Sequence, residues 1–281
     1  MNSCLFVSDL HGKMSRYEAL FKIIKKEKPD FVFLGGDLLP HRSIQNKNDS
    51  GEFNFITDFL IKKFSGLKEK MECKYPEVFL IPGNDDQKIV FDTLAEGEKN
   101  DLWRNLHNRC VVIGKYRFYG YACVPPTPFR IKDWERFDVS KETDPACIAP
   151  SNGYHSAKPD HDPENDTIRE DIENLVQDDD LEFGIFLFHS PPFRTFIDQA
   201  EIGSGNVLPV GSKAIRNFIA EKQPYLTMHG HIHESVRLTG EWKQSIGRTF
   251  TFSAAHDGPE LAVVRFILHV PLWATRLLVK V

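Results

Sequence analysis

At 281 residues the chain could form one large domain or two ordinary ones, and 41% hydrophobic with 27% charged residues is the composition of a soluble globular protein. A net charge of −5 disfavours nonspecific nucleic-acid binding, which depends on lysines and arginines that neutralise phosphates. Five scattered cysteines (Cys4, Cys73, Cys110, Cys123 and Cys147) lack metal-type spacing and point to ordinary buried thiols in a reducing compartment.

Along the chain, the apolar run Cys4 to Val7 reads as a first strand. It leaves no basic region followed by an apolar core for a signal peptide, so the expected location is cytoplasmic. A helix is expected over Ser15 to Lys26, with Tyr17, Leu20, Phe21 and Ile24 recurring at intervals of three and four. That periodicity puts Lys22, Lys25, Lys26 and Lys28, the one basic cluster, on the solvent face rather than in a nucleic-acid patch. Phe31 to Leu34 is the second strand, and the polar run His41 to Ser50 behind it is a candidate rim of a site. Phe53, Ile56, Leu60 and Phe64 mark a second helix, and Val78 to Ile81 a third strand. Val111 to Ile113 and Tyr116 to Ala122 are further strands.

Between Pro125 and Asp166 the texture changes. Seven of the 17 prolines fall here, and the segment is far longer than a usual connection. Phe129, Trp134 and Phe137 favour partial packing, so this insertion (125–166) is expected to be an ordered flap near a site mouth rather than a disordered loop. Beyond it come a helix carrying Ile168, Ile172, Leu175 and Val176, the strand Phe183 to Phe188, and a helix carrying Ala214, Ile215, Phe218 and Ile219. Strands follow at Tyr225 to Met228, Val236 to Leu238 and Thr249 to Ser253. Leu261 to Val281 is the most apolar stretch, but Arg265, His269, Pro271, Arg276 and Lys280 interrupt it. It therefore reads as two strands and not as a membrane span. The alternation of strands and helices argues for a largely parallel, buried sheet.

Five of these strands are each followed by polar residues with metal-binding chemistry. They are Asp9-Leu10-His11, Gly35-Gly36-Asp37, Gly83-Asn84-Asp85-Asp86, His189, and His231 with His233. In an open α/β sheet, residues beyond the carboxyl ends of strands converge on one crevice. A spacing of two in Asp9-x-His11 and His231-x-His233 would put both side chains on one face of an extended segment. Imidazoles and carboxylates together suit Mn, Fe or Zn, and Asp37 is the natural bridge between two ions. The ligands run from residue 9 to residue 233, so any division would split the site and residues 1–281 are expected to form one domain.

In this order and context the patches resemble those of the calcineurin-like metallophosphoesterases, whose pattern runs Asp-x-His, Gly-Asp, Gly-Asn-His-Asp/Glu, His, Gly-His-x-His. The stretch from Phe188-His189-Ser190-Pro191-Pro192 through Val210 to Lys213 and His229 to Glu234 is similar to a bacterial subgroup related to cyclic-nucleotide phosphodiesterases. The resemblance implies a four-layer α-β-β-α sandwich of two mixed sheets with helices outside. It also implies that Asp9, His11, Asp37 and His233 hold one divalent ion and Asp37, Asn84, His189 and His231 the other. The implied activity is hydrolysis of a small phosphoester, more readily a diester, by in-line attack of a metal-activated hydroxide. Ser190 lacks a neighbouring base and gives no support to a covalent route.

One position departs from the pattern. Asp85 stands where the family has histidine, which puts leaving-group catalysis in doubt and leaves open a weakly active or inactive scaffold that binds a partner protein. His256, after a late strand, is a candidate replacement for that histidine, and Arg42, Arg130 and Arg194 are candidate contacts for a substrate phosphate. His229 is expected to be structural. His41, His107, His155, His161 and His269 read as surface or loop residues.

Overall fold

The structure, a computed structural model, describes residues 2–41, 53–203 and 205–281. In chain order the elements begin with β1 (Ser3–Val7), α1 (Met14–Glu27), β2 (Phe31–Gly35), α2 (Lys62–Met71), β3 (Glu77–Ile81), α3 (Phe91–Lys99), β4 (Arg104–Asn105), β5 (Arg109–Ile113) and β6 (Tyr116–Tyr121). They continue with α4 (Ile168–Val176), β7 (Gly184–Phe188), β8 (Gln199–Ile202), β9 (Asn206–Pro209), α5 (Lys213–Lys222) and β10 (Leu226–His229). The last are α6 (Ser235–Thr239), β11 (Lys243–Ile246), β12 (Thr249–Ser253), β13 (Leu261–Ile267) and β14 (Thr275–Val279). A π-helical stretch, Phe55–Ile61, leads into α2, and Asn54 caps it by accepting hydrogen bonds from the Ile56 and Thr57 amides.

Two six-stranded sheets, ordered β14-β13-β1-β2-β3-β4 and β11-β12-β10-β7-β6-β5, form the two inner layers of a four-layer α-β-β-α sandwich. Both are mixed. β1 to β4 are parallel, with β13 antiparallel to β1 and β14 to β13, while the central β12-β10-β7-β6 of the second sheet is parallel between antiparallel edges.

Alternation along the strands separates two apolar cores. In β1, Cys4 and Phe6 face the second sheet, whereas Leu5 and Val7 pack with Tyr17, Leu20 and Ile24 of α1. Between the sheets Phe31, Phe33, Phe79, Phe118 and Phe266 form a run of aromatic contacts, with Phe79 and Phe118 centroids 5.0 Å apart. Across the second sheet, α4 and α5 bury Ile168, Ile172, Ile215 and Ile219. The lysines of α1 at 22, 25 and 26 are exposed. Among the described residues no helix is long and apolar enough to cross a membrane.

One local expectation is corrected, and one helix is present that the apolar pattern does not mark. Val236 to Leu238 is not a strand but lies in α6, because Gly240 adopts φ 76° and its amide returns to the Val236 carbonyl, closing a helical turn. That helix, α3, contains Gly97. A Cβ there would lie 1.9 Å from Cζ2 of Trp103, so the glycine lets that indole pack on the helix.

Segment 125–166 holds little regular structure, yet much of it is buried. Trp134 and Phe137 are buried, whereas Phe129 is exposed. Its anchor is polar: Lys132 Nζ donates to Glu135 Oε2 at 2.6 Å and to the Thr127 carbonyl at 2.9 Å, and both side chains are inaccessible. Thr127 donates to Glu135 through its amide and hydroxyl. Removing one partner leaves a buried charge, whereas removing both does not. Glu135→Gln is therefore expected to lower unfolding free energy by about 3 kcal/mol, and Lys132→Met with Glu135→Leu to recover most of that loss in chemical denaturation.

Candidate metal centre

The two sheets present their parallel strand ends to one another at a single edge. Beyond β1 and β2 the ladder continues into the loops: the Asp9 amide donates to the Gly36 carbonyl at 2.9 Å and the His11 amide to the Asp37 carbonyl at 2.8 Å. From the second sheet, His189 follows β7 directly, and the Gly230 amide after β10 donates to its carbonyl at 3.0 Å. The backbone does not follow the extended geometry expected from the spacing of two. Asp9, His11, Asp37 and His231 have φ of 56°, 46°, 51° and 74°, and these left-handed turns, not strand alternation, aim the side chains inward.

Donor atoms of Asp9, His11, Asp37 and His233 lie within 4.8 Å of one another, and so do those of Asp37, His189 and His231. Asp37 belongs to both groups. His11 Nε2 is 3.1 Å from His233 Nε2, and His233 Nε2 is 3.3 Å from Asp9 Oδ1. On the other side, His189 Nε2 is 3.4 Å from Asp37 Oδ2 and 3.1 Å from Asn84 Oδ1. His189 Nδ1 lies 2.8 Å from the Gly35 carbonyl, which can only accept, so Nδ1 carries a proton and Nε2 is the nitrogen turned to Asp37 and Asn84. Imidazole nitrogens and carboxylates facing one another in a buried space fit a divalent cation.

The electrostatics agree. Burial opposes ionisation of Asp9, yet His233 and His189 outweigh it and hold the carboxyl down to about 2. Asp37, equally buried, is held well below the usual carboxylate range by His189 and His11. Burial likewise opposes charge on His189, but Asp37 and Asp9 push it up to about 10. The pocket is thus a strongly cation-favouring field.

Around this set the structure adds residues whose roles the sequence did not disclose. Asp86 accepts hydrogen bonds from the Leu38, Leu39 and Gly83 amides at 2.7 to 3.0 Å, clamping the Asn84 loop to the Asp37 loop. Trp134 Nε1 donates to its carbonyl, so segment 125–166 buttresses the same loop. Asp85 donates its amide to Asp37 Oδ1 at 2.9 Å, and its Oδ2 is 3.1 Å from His41 Nδ1 and 3.7 Å from His11 Nδ1. The His41 ring stacks on His11 at 4.6 Å. His41 is therefore not an isolated loop residue, although its side chain is 63% exposed. The hint available in the sequence is its position four residues after Asp37.

The remaining candidates fall elsewhere. His256 pairs with Glu260 at 3.1 Å and belongs to none of the metal-capable groups among the described residues. His229 uses both nitrogens, on the Ser190 carbonyl and Thr227 Oγ1, which is a structural role. Arg130 is exposed, and Arg194 borders a separate cleft that includes no residue of the metal groups. Arg42 lies outside the described residues.

Glycine at 83 is a steric requirement: a Cβ would lie 2.2 Å from Asp37 Oδ1 and 2.7 Å from His189 Nε2. Gly83→Ala is expected to lower bound metal per chain, read by elemental analysis, while far-UV dichroism stays unchanged. Gly66→Ala, in α2 with nothing within 4 Å, is the control and should retain full metal content.

Comparison with known proteins supplies the family. The family model described as calcineurin-like phosphoesterase matches residues 3–235, a span holding every residue of the candidate centre. No curated protein matches the chain in sequence. Among solved structures, one is similar at TM-score 0.63 and 14% identity over 99% of both chains, and the protein TT1561 of Thermus thermophilus at 0.58 and 14% over 99% of both. A dimetal phosphatase from Danio rerio is similar at 0.51 and 10%, over 93% of this chain and 91% of that one. At such identities these likenesses speak for the fold, and the match over most of the sequence decides the rest: the chain belongs to the calcineurin-like phosphoesterase family.

Proposed function

We propose that the protein hydrolyses phosphoesters, with diesters preferred, at a centre of two divalent ions drawn from Mn, Fe and Zn. The observation that carries this reading is Asp37, a buried carboxylate common to two adjoining donor groups. Asp9, His11, Asp37 and His233 would hold one ion, and Asp37, Asn84, His189 and His231 the other. Such a pair of ions activates a water molecule and offsets charge on the attacking and leaving oxygens of an in-line displacement. The diester preference rests on the likeness of the Phe188 to Glu234 stretch to phosphodiesterase relatives.

The protein's own part is geometric and protonic. Gly35 fixes the His189 ring through its carbonyl, Asp86 holds the two ligand loops together, and Asp85 receives His41 Nδ1. In this reading His41, oriented by the Asp85 carboxylate, does for the departing alkoxide what the family's histidine does, and Asp85 acts through it. Arg42 and Arg130 remain proposed contacts for the phosphate, and His256 is the lesser alternative as proton donor.

Asp37→Ala is expected to reduce bound metal from about two ions to one or fewer and to abolish hydrolysis of a phosphoester panel with added manganese. A variant with two ions and full turnover would remove Asp37 from the bridge. A wild-type protein that binds no metal and turns over no ester would instead favour the partner-binding scaffold.

His41→Ala and Asp85→Asn are each expected to lower kcat on alkyl diesters by about 10²-fold and to spare activated aryl diesters, with the double variant no worse than either single one. Equal losses on both ester classes would show that the pair takes no part in leaving-group departure.

A further inference from the structure

A cleft of about 450 Å³ opens between the loop after β7 and α6, with the β8–β9 hairpin as its third wall. That volume is in the range of small-molecule sites. Both main walls continue chain segments that carry candidate metal ligands. Arg194 lies five residues after His189, and Leu238 five residues after His233. Thr239 Oγ1 ties the walls by donating to the Phe196 carbonyl at 3.0 Å, and the Glu201 amide of the hairpin donates to Glu234, the neighbour of His233, at 3.2 Å.

The lining has distinct chemistry. Phe196, Val207 and Leu238 supply apolar surface, and Phe196 and Val207 are 53% and 45% exposed with nothing covering them. Gln244 spends its Oε1 on the Phe196 amide, but its Nε2 is buried without a hydrogen-bond partner, which leaves a donor unsatisfied. Arg194 is exposed in a left-handed turn with φ 54°, held by its amide on Asp198 Oδ2 at 2.8 Å. Its guanidinium lies 5.3 Å from the Phe193 ring centre and forms no ion pair among the described residues.

We infer that this cleft is the specificity subsite for the organic part of the substrate. It would take a flat, ring-sized apolar body against Phe196, Val207 and Leu238, with an anionic group on Arg194. The assignment of the organic part rests on the phosphoesterase reading, while the ligand chemistry of the cleft does not. It separates Arg194 from the reacting phosphoryl group and gives it a second anion on the same substrate.

The test has two arms. In the first, anilinonaphthalene sulfonate, a flat apolar anion, is titrated by fluorescence into chelator-treated protein, where turnover plays no part. One saturable site is expected, weakened about tenfold or more by Arg194→Ala and by Val207→Trp, both surface changes, and unaffected by Val112→Ala, an exposed position on β5 at the opposite edge of the sheet from β11. In the second, KM for carboxyphenyl nitrophenyl phosphate, a diester with a second anion, rises about tenfold in the same variants with kcat retained, while methyl nitrophenyl phosphate, whose retained ester group is too small to fill the cleft, is unaffected. Unchanged dye binding and unchanged KM in both variants would overturn the subsite even if the enzyme hydrolyses diesters well. Loss of dye binding in a protein that hydrolyses nothing would instead keep the cleft and reject the hydrolase reading.

Discussion

Asp9 and Asp37 are carboxylates buried where two sheets meet, and among the described residues neither forms an ion pair with a lysine or arginine. Burial of ionised groups without compensation costs far more than a folded protein can supply, so the site depends on neighbours that tolerate or demand positive charge. The protein answers with imidazoles. His11, His189, His231 and His233 face the two carboxylates, and a divalent cation among them would balance the set. The turns that bring these groups together have left-handed backbone at Asp9, His11, Asp37 and His231, a local strain that the surrounding ladders and the Asp86 clamp hold in place.

This constraint explains the division of labour between the layers. The sheets are rigid because their inner faces are filled with interlocking aromatic rings, and rigidity is what a ligand set spread over residues 9 to 233 requires. The insertion adds support from behind: Lys132, Glu135 and Thr127 form a closed polar knot, and Trp134 within it reaches the carbonyl of Asp86. The cleft beside Arg194 and the hairpin is open and partly apolar.

Much of this could be read from residues alone, because strands buried on both faces show as continuous apolar runs and the polar residues that end them stand out. The candidate ligand residues are visible for that reason, and so is the departure at Asp85. The contact between His41 and Asp85 is tertiary, made by two loops whose proximity no local period encodes. The order within 125–166 comes from hydrogen bonds and a buried ion pair, which leave no trace in hydrophobic periodicity. Val236-Arg237-Leu238 alternates like a strand, and only the left-handed glycine that follows turns it into a helix. The β8–β9 hairpin has no buried face of its own, so it lacks the signal by which the other strands are found.

The pairing of β1 with β13 has a consequence in time. Ser3 sits opposite Ile267, and Phe6 opposite Val264, so the strand that carries the first ligands finds its outer neighbour only in the last part of the chain. During synthesis the N-terminal β1-β2-β3 unit can emerge and pair while one edge stays bare. Contacts of such long sequence separation close slowly, and an unpaired parallel edge invites other chains meanwhile. Asp9, His11, Asp37 and Asn84 are thus synthesised with strands whose sheet still lacks its outer neighbour, well before His189, His231 and His233.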